Sequence, residues 1–144
     1  MGARYVSFIL GGGKYCIPVN QVVQILRHEN VLDIPKAPRF VAGVVNLRGD
    51  IVPVVDLRER FGIAKPQDKK RERIVVTSLG GRPYGLLVDE VRELVDIPDE
   101  EITPDAGAAF GERPEFIRAA ARRGDSLVFF LDLERVLSAE GAKA

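Results

Sequence analysis

Apolar residues along this chain come in strand-length runs broken by glycine turns, and the runs recur. Residues 4–10 are rich in β-branched and aromatic side chains, Gly11-Gly12-Gly13 makes a turn, and residues 14–18 return, which predicts a β-hairpin. A second hairpin is predicted from residues 43–47 and 51–57, turned by Arg48-Gly49-Asp50. Residues 73–79 and 82–88 form a third around Gly80-Gly81, and residues 118–122 and 126–131 a fourth around Gly124-Asp125. Two short runs, 57–61 and 133–137, read instead as amphipathic helices. Asp56 and Asp132 stand just before them, where a carboxylate accepts bonds from the unpaired amides of a first turn.

These elements are two copies of one unit. Sliding the chain along itself puts Leu10-Gly11-Gly12 on Leu79-Gly80-Gly81, Tyr15 on Tyr84, Val19 on Val88, Val22 on Val91 and Pro35 on Pro104. With a loop insertion the match continues, Phe40 on Phe116, Gly49-Asp50 on Gly124-Asp125, and Asp56-Leu57 on Asp132-Leu133. One copy buries too little apolar surface to be comfortable alone, so the copies are expected to pack together or exchange strands as two barrel-like lobes with one shared core. The helices would plug the open barrel ends. The charged stretch 64–73, AKPQDKKRER, lies where the first copy ends and reads as a solvated inter-lobe connection.

Composition narrows the function. Twenty-one basic residues balance 21 acidic ones in 144, which removes the broad attraction of a nucleic-acid or membrane-surface binder. No apolar stretch has the length of a membrane span or the layout of a signal peptide. Cys16, the one cysteine, reads as a buried structural thiol, and His28, the one histidine, lacks partners for a metal site or an acid-base pair. Gly11-Gly12-Gly13-Lys14 is not followed by Ser or Thr and leads into a strand, so it reads as a turn and not a phosphate cradle. Asp89-Glu90 and Asp99-Glu100-Glu101 read as solvated or capping carboxylates, and the Arg-Gly-Asp tripeptide lacks a secretory context for adhesion.

Three features point to partner docking. The 43–47 and 51–55 strands carry more apolar residues than one alternating face requires. Arg48 sits at a tight glycine turn, suited to a bidentate contact, although a solvated turn arginine or an ion pair to Asp50 accounts for it equally well. Val22, Gln24 and Leu26 alternate beside that hairpin and could line a groove or pack as core.

The run NLRGDIVPVVDLR, Asn46 to Arg58, resembles the CheW-family signature NLRGxIxPVxDLR. Tyr15-x-Ile17, Ile34-Pro35, Phe40-Val41-x-Gly43-Val44, the Gly85 to Val91 run and the closing residues 127–137 follow in family order, so the resemblance covers residues 4–138. It implies an all-β domain over 4–138, made of two SH3-like five-stranded barrel subdomains, roughly 14–64 and 74–138, sharing a hydrophobic core and exchanging strands, with short helices. It further implies a non-catalytic cytoplasmic adaptor without a cofactor. Such adaptors couple the cytoplasmic tips of methyl-accepting chemoreceptors to the regulatory domain of the histidine kinase CheA in membrane-associated arrays. They neither enter the membrane nor bind nucleic acid.

The family's receptor-facing positions fall on Val22, Gln24, Gly43, Val44, Asn46 and Arg48. Gly43 would let a receptor helix approach closely. Ile17, Val31 and Leu32 are the expected kinase-facing residues. Gln24 departs from the frequent glutamate, exchanging a charged contact for a neutral hydrogen bond. An adaptor of a pilus or gliding system is the alternative within the same fold. An enzyme or an oligonucleotide-binding barrel would need convergent polar groups or a basic aromatic face that the chain does not offer.

Overall fold

The computed structural model describes residues 2–104 and 114–138. In order, the strands are β1 (Gly2–Leu10), β2 (Gly13–Pro18), β3 (Val22–Arg27), β4 (Val41–Leu47) and β5 (Asp50–Asp56), followed by α1 (Leu57–Phe61). The second copy supplies β6 (Arg73–Leu79), β7 (Arg82–Val88), β8 (Glu90–Pro98), β9 (Ile102–Pro104), β10 (Ile117–Arg123), β11 (Ser126–Leu131) and α2 (Leu133–Leu137). The fold is all-β with short helices. A five-stranded sheet runs β3-β6-β7-β5-β4, and a six-stranded sheet runs β8-β1-β2-β11-β10-β9.

Each sheet combines a hairpin of one copy with the remaining strands of the other. The β6–β7 hairpin sits between β3 and β5, joined to β5 in parallel, and the β1–β2 hairpin sits between β8 and β11, with β2 and β11 also parallel. The repeat persists down to single pairs. Val54 faces Gly85 in one sheet as Phe130 faces Cys16 in the other. The bulge between Val41 and Gly43 recurs between Ile117 and Ala119. An extra residue at equal places in both copies re-aims the strand equally, so the bulges belong to the design of the unit.

Three apolar clusters follow from this exchange. Val45, Val52, Val54, Ile74, Val76 and Leu87 fill the five-stranded side, and Tyr5, Cys16, Ile97, Ala119, Ala121, Val128 and Phe130 fill the six-stranded side. The largest cluster lies between them and takes residues from both copies, including Phe8, Ile17, Val75 and Leu86, with Leu57 and Phe61 of α1 and Leu133 and Val136 of α2. Each such fully buried side chain contributes about 1.5–3 kcal/mol. Both helices are capped as their leading aspartates foretold: Asp56 accepts a bond from the Arg58 amide at 3.0 Å and Asp132 from the Arg135 amide at 3.2 Å.

Arg60 of α1 locks the copies to each other. Its guanidinium carbon lies 4.3 Å from the centre of the Phe40 ring and 4.7 Å from that of the repeat-equivalent Phe116. Its Nε donates to the Val136 carbonyl at 2.9 Å and its Nη2 to the Arg135 carbonyl at 3.2 Å, so it also binds the last carbonyls of α2.

A buried ionic cluster corrects two readings of the sequence. Arg58, 1% exposed, donates through Nε to Asp56 at 2.6 Å and through Nη1 to Asp89 at 2.7 Å, while its Nη2 lies 2.7 Å from Glu72. Asp89 is therefore no solvated connection residue; its other oxygen accepts the Gly11 amide at 2.8 Å and fixes the β1–β2 turn. Glu72, at the end of the charged stretch expected to be solvated, is 3% exposed, and its Oε1 meets His28 Nδ1 at 2.7 Å. Burial alone would lift the Glu72 carboxyl, but His28 and Arg58 outweigh it and hold the pKa below the usual carboxylate range. Burial likewise disfavours the charged guanidinium of Arg58, and the bonds to Asp56, Asp89 and Glu72 overcome that and raise its pKa.

Candidate docking surface

The hairpin tip that carries Arg48 follows from strand twist. Leu47 pairs with Asp50, leaving the two-residue loop Arg48-Gly49 with φ of 55° and 88°. Both values are left-handed, as a type I′ turn requires to match the right-handed twist of its strands. Gly49 takes that conformation freely, and the Asn46 side chain holds the loop by accepting the Gly49 amide at 3.0 Å. Arg48 takes it at a cost, its side chain exposed. Among the described residues it makes no ion pair, with Asp50 or any other carboxylate.

The remaining expected receptor-facing residues divide between two strands. Val44 and Asn46 alternate outward on β4, while Val45 turns into the core. Val22 and Gln24 lie on the half-buried side of β3, and Val22 packs against the shared core. The outward positions of β3 are Val23 and Ile25, 58% and 42% exposed, which the sequence reading did not single out. Neither was Ile51, 65% exposed and paired with Asn46 across the hairpin. β3 carries apolar residues on both faces, Val22 and Leu26 on one and Val23 and Ile25 on the other, so its composition carries no parity; the isoleucine directly after the arginine turn was the available signal.

Gly43 does not face outward for a partner. It is buried at φ 149°, and a Cβ placed there would overlap the Leu32 carbonyl oxygen and stand 2.9 Å from Val31 Cγ1. The backbone that approaches Gly43 is this chain's own.

Of the expected kinase-facing residues, Ile17 is 0% exposed in the shared core and offers a partner no surface. Its parity on β2 turns it inward, a direction that its apolar character alone did not give. Val31 is half-buried against the five-stranded core, whereas Leu32 is 65% exposed. Leu32 and Asn46, assigned by the sequence reading to different partners, line one open groove of about 430 Å³ together with Leu26, Arg27, Val45 and Leu47. The two edge strands of the five-stranded sheet thus meet at this groove.

Cys16 is a thiol pushed up to about 12 by burial, far from a nucleophilic thiolate at neutral pH. The buried carboxylates of Asp56, Glu72 and Asp89 are wrapped around Arg58, which with His28 holds the Glu72 carboxyl below the usual range. Among the described residues no three His, Cys, Asp or Glu side chains are placed to share a metal ion, and no helix is long and apolar enough to cross a membrane.

Residues 4–141 match the CheW-like domain family. The chain belongs to the CheW family. CheW-family relatives include the chemotaxis protein CheW of Klebsiella aerogenes, 31% identical over 97% of this chain and 84% of that protein. The chemotaxis protein CheW of Rhizobium meliloti is 29% identical over 99% of this chain and 92% of its own. The crystal structure of the scaffolding protein TtCheW from Thermoanaerobacter tengcongensis superposes with a TM-score of 0.90 at 30% identity, covering 98% of this chain and 91% of that one. The CheW-family fold, two SH3-like barrels about a common core, is the fold described above.

Proposed function

We propose that this chain is a non-catalytic adaptor of bacterial chemotaxis that couples methyl-accepting chemoreceptors to the regulatory domain of the histidine kinase CheA. The observation that carries the reading is the Arg48 turn, a strained, solvent-exposed arginine held by Asn46 on a hairpin, without an ion partner among the described residues. Strain kept at an exposed tip is characteristic of a contact site. The receptor tip meets Arg48, Asn46 and Val44, with Val22 and Gln24 completing the contact from β3. The kinase domain meets Leu32. Adaptor work needs surfaces and no reacting groups, in keeping with a family of scaffolds. The chain works in the cytoplasm, held at receptor arrays through its partners. The relatives reported above are named for chemotaxis, which does not favour the alternative of a pilus or gliding adaptor.

Calorimetry against the regulatory domain of each CheA kinase encoded in the same genome tests the reading. A dissociation constant in the micromolar range or tighter is expected, about −8 kcal/mol or better. No association with any of them refutes it. Arg48→Glu is expected to abolish pull-down of a receptor-tip fragment with the melting temperature changed by only a few degrees, because an exposed tip residue shifts stability by about 0.5 kcal/mol. A large fall in melting temperature would make Arg48 structural.

A further inference from the structure

The loop between β3 and β4 displays Leu32 without being part of either strand, so something other than a ladder must hold it. One backbone bridge does so: the Leu32 amide donates to the Val44 carbonyl and the Val44 amide to the Leu32 carbonyl, both at 2.8 Å. Val31 turns inward onto the five-stranded core, which sends Leu32 outward to the groove. The chain leaves β3 past His28, itself tied to buried Glu72. The bridge forms only because position 43 has no side chain, since a Cβ there would occupy the place of the Leu32 carbonyl.

The second copy is an internal control. The repeat-mate of Gly43 is Ala119, as the shared bulge shows. There the approaching segment is an ordinary three-residue strand, β9, paired in register with Ala119, Ala120 and Ala121. An alanine is accommodated in that geometry. In the first copy the segment makes a single bridge, and Gly43 adopts a φ of 149° that side chains disfavour. The glycine therefore belongs to what distinguishes the first copy, the presentation of an exposed leucine.

We infer that Gly43 is a positioning residue for the kinase-facing contact: its missing side chain admits the Val31-Leu32 segment and sets Leu32 at the mouth of the groove. The inference rests on the proposed kinase contact at Leu32, and it removes Gly43 from the receptor-facing set. Substituting it moves Leu32 and leaves the Arg48 turn in place.

The test uses the whole chain carrying Gly43→Ala, Leu32→Asp, or both. In Gly43→Ala, hydrogen exchange at the Leu32 and Val44 amides is expected to accelerate while Val75 and Leu86 in β6 and β7 stay protected. Binding to the kinase regulatory domain is expected to weaken about tenfold, the loss of one central apolar contact, and by a larger factor than receptor-tip binding, which keeps the Arg48 turn. The double variant is expected to bind the kinase no more weakly than Leu32→Asp alone, because both changes remove one contact. Additive losses, unchanged exchange, or loss of receptor binding with kinase binding intact overturns the inference. If Leu32→Asp itself leaves kinase binding unchanged, the underlying placement of the kinase contact fails instead. Should Gly43→Ala not fold, Val31→Ala loosens the same segment from the core and is expected to weaken kinase binding alone; unchanged kinase binding in that variant also overturns the inference.

Discussion

Replacing Arg58 with methionine keeps most of the side-chain length and removes the charge around which Asp56, Glu72 and Asp89 are gathered. Those carboxylates are 6%, 2% and 10% exposed, so all three are largely shut off from water. Removing one partner of a buried ion pair costs about 3–5 kcal/mol, most of it the penalty of the charge left behind. For a chain of this size that corresponds to a fall in melting temperature of about 10–20 °C. The loss must also depend on pH. In the wild type Glu72 is held below its unfolded pKa, so it stabilises the fold above the unfolded value, and the contribution disappears as pH falls through the lowered folded value. In Arg58→Met Glu72 keeps its bond to His28 but loses Arg58, so the carboxyl pKa rises from its lowered value, and acidification relieves part of the loss. The difference in unfolding free energy, measured by urea titration followed by circular dichroism, is expected to be largest near pH 7.5 and to shrink towards about pH 4.5. A difference under about 1 kcal/mol at pH 7.5, or one of constant size across that interval, would refute the reasoning.

Arg48→Gly is expected to raise unfolding free energy by about 0.5–1 kcal/mol, by relieving a left-handed arginine, and to lose receptor-tip binding in the same molecule. Stability and docking would then move in opposite directions at one residue, which urea melts and pull-down read together. Cys16 is expected to resist a thiol reagent at pH 8 in the native state and to react within minutes in denaturant, since burial pushes its thiol up to about 12. Rapid labelling of the native protein would mean that β2 opens locally. Arg60→Met removes the bonds to the carbonyls of Arg135 and Val136 and is expected to cost about 2–3 kcal/mol, with faster exchange at the Val136 amide than at Val75.

The repeat and its elements were legible because each rests on local chemistry. Paired glycines, β-branched runs and aspartates before short apolar stretches mark turns, strands and helix starts within a few residues, and α1 and α2 occupy the ranges those signals predicted. Direction was harder. β2, β3 and the 51–55 strand are apolar on consecutive residues, so nothing local told Ile17 and Val52 inward from Ile25 and Ile51 outward. The burial of Glu72 was invisible for a related reason. It stands in a run of lysines and arginines that composition assigns to water, and only Arg58, arriving from another element, makes its burial tolerable. Gly43 carried a signal, a glycine inside a strand, but the sequence could not say which backbone used the space.

The exchanged hairpins have a consequence for how the molecule comes into being. Cys16 finds its parallel neighbour in Phe130, and Phe8 meets Val91, so the opening hairpin pairs only with strands made much later. During synthesis it emerges from the ribosome with both edges bare and must wait, chaperoned or tumbling, until nearly every other strand has been made. Such distant pairings slow folding and lengthen the interval in which two nascent copies can pair with each other in place of themselves.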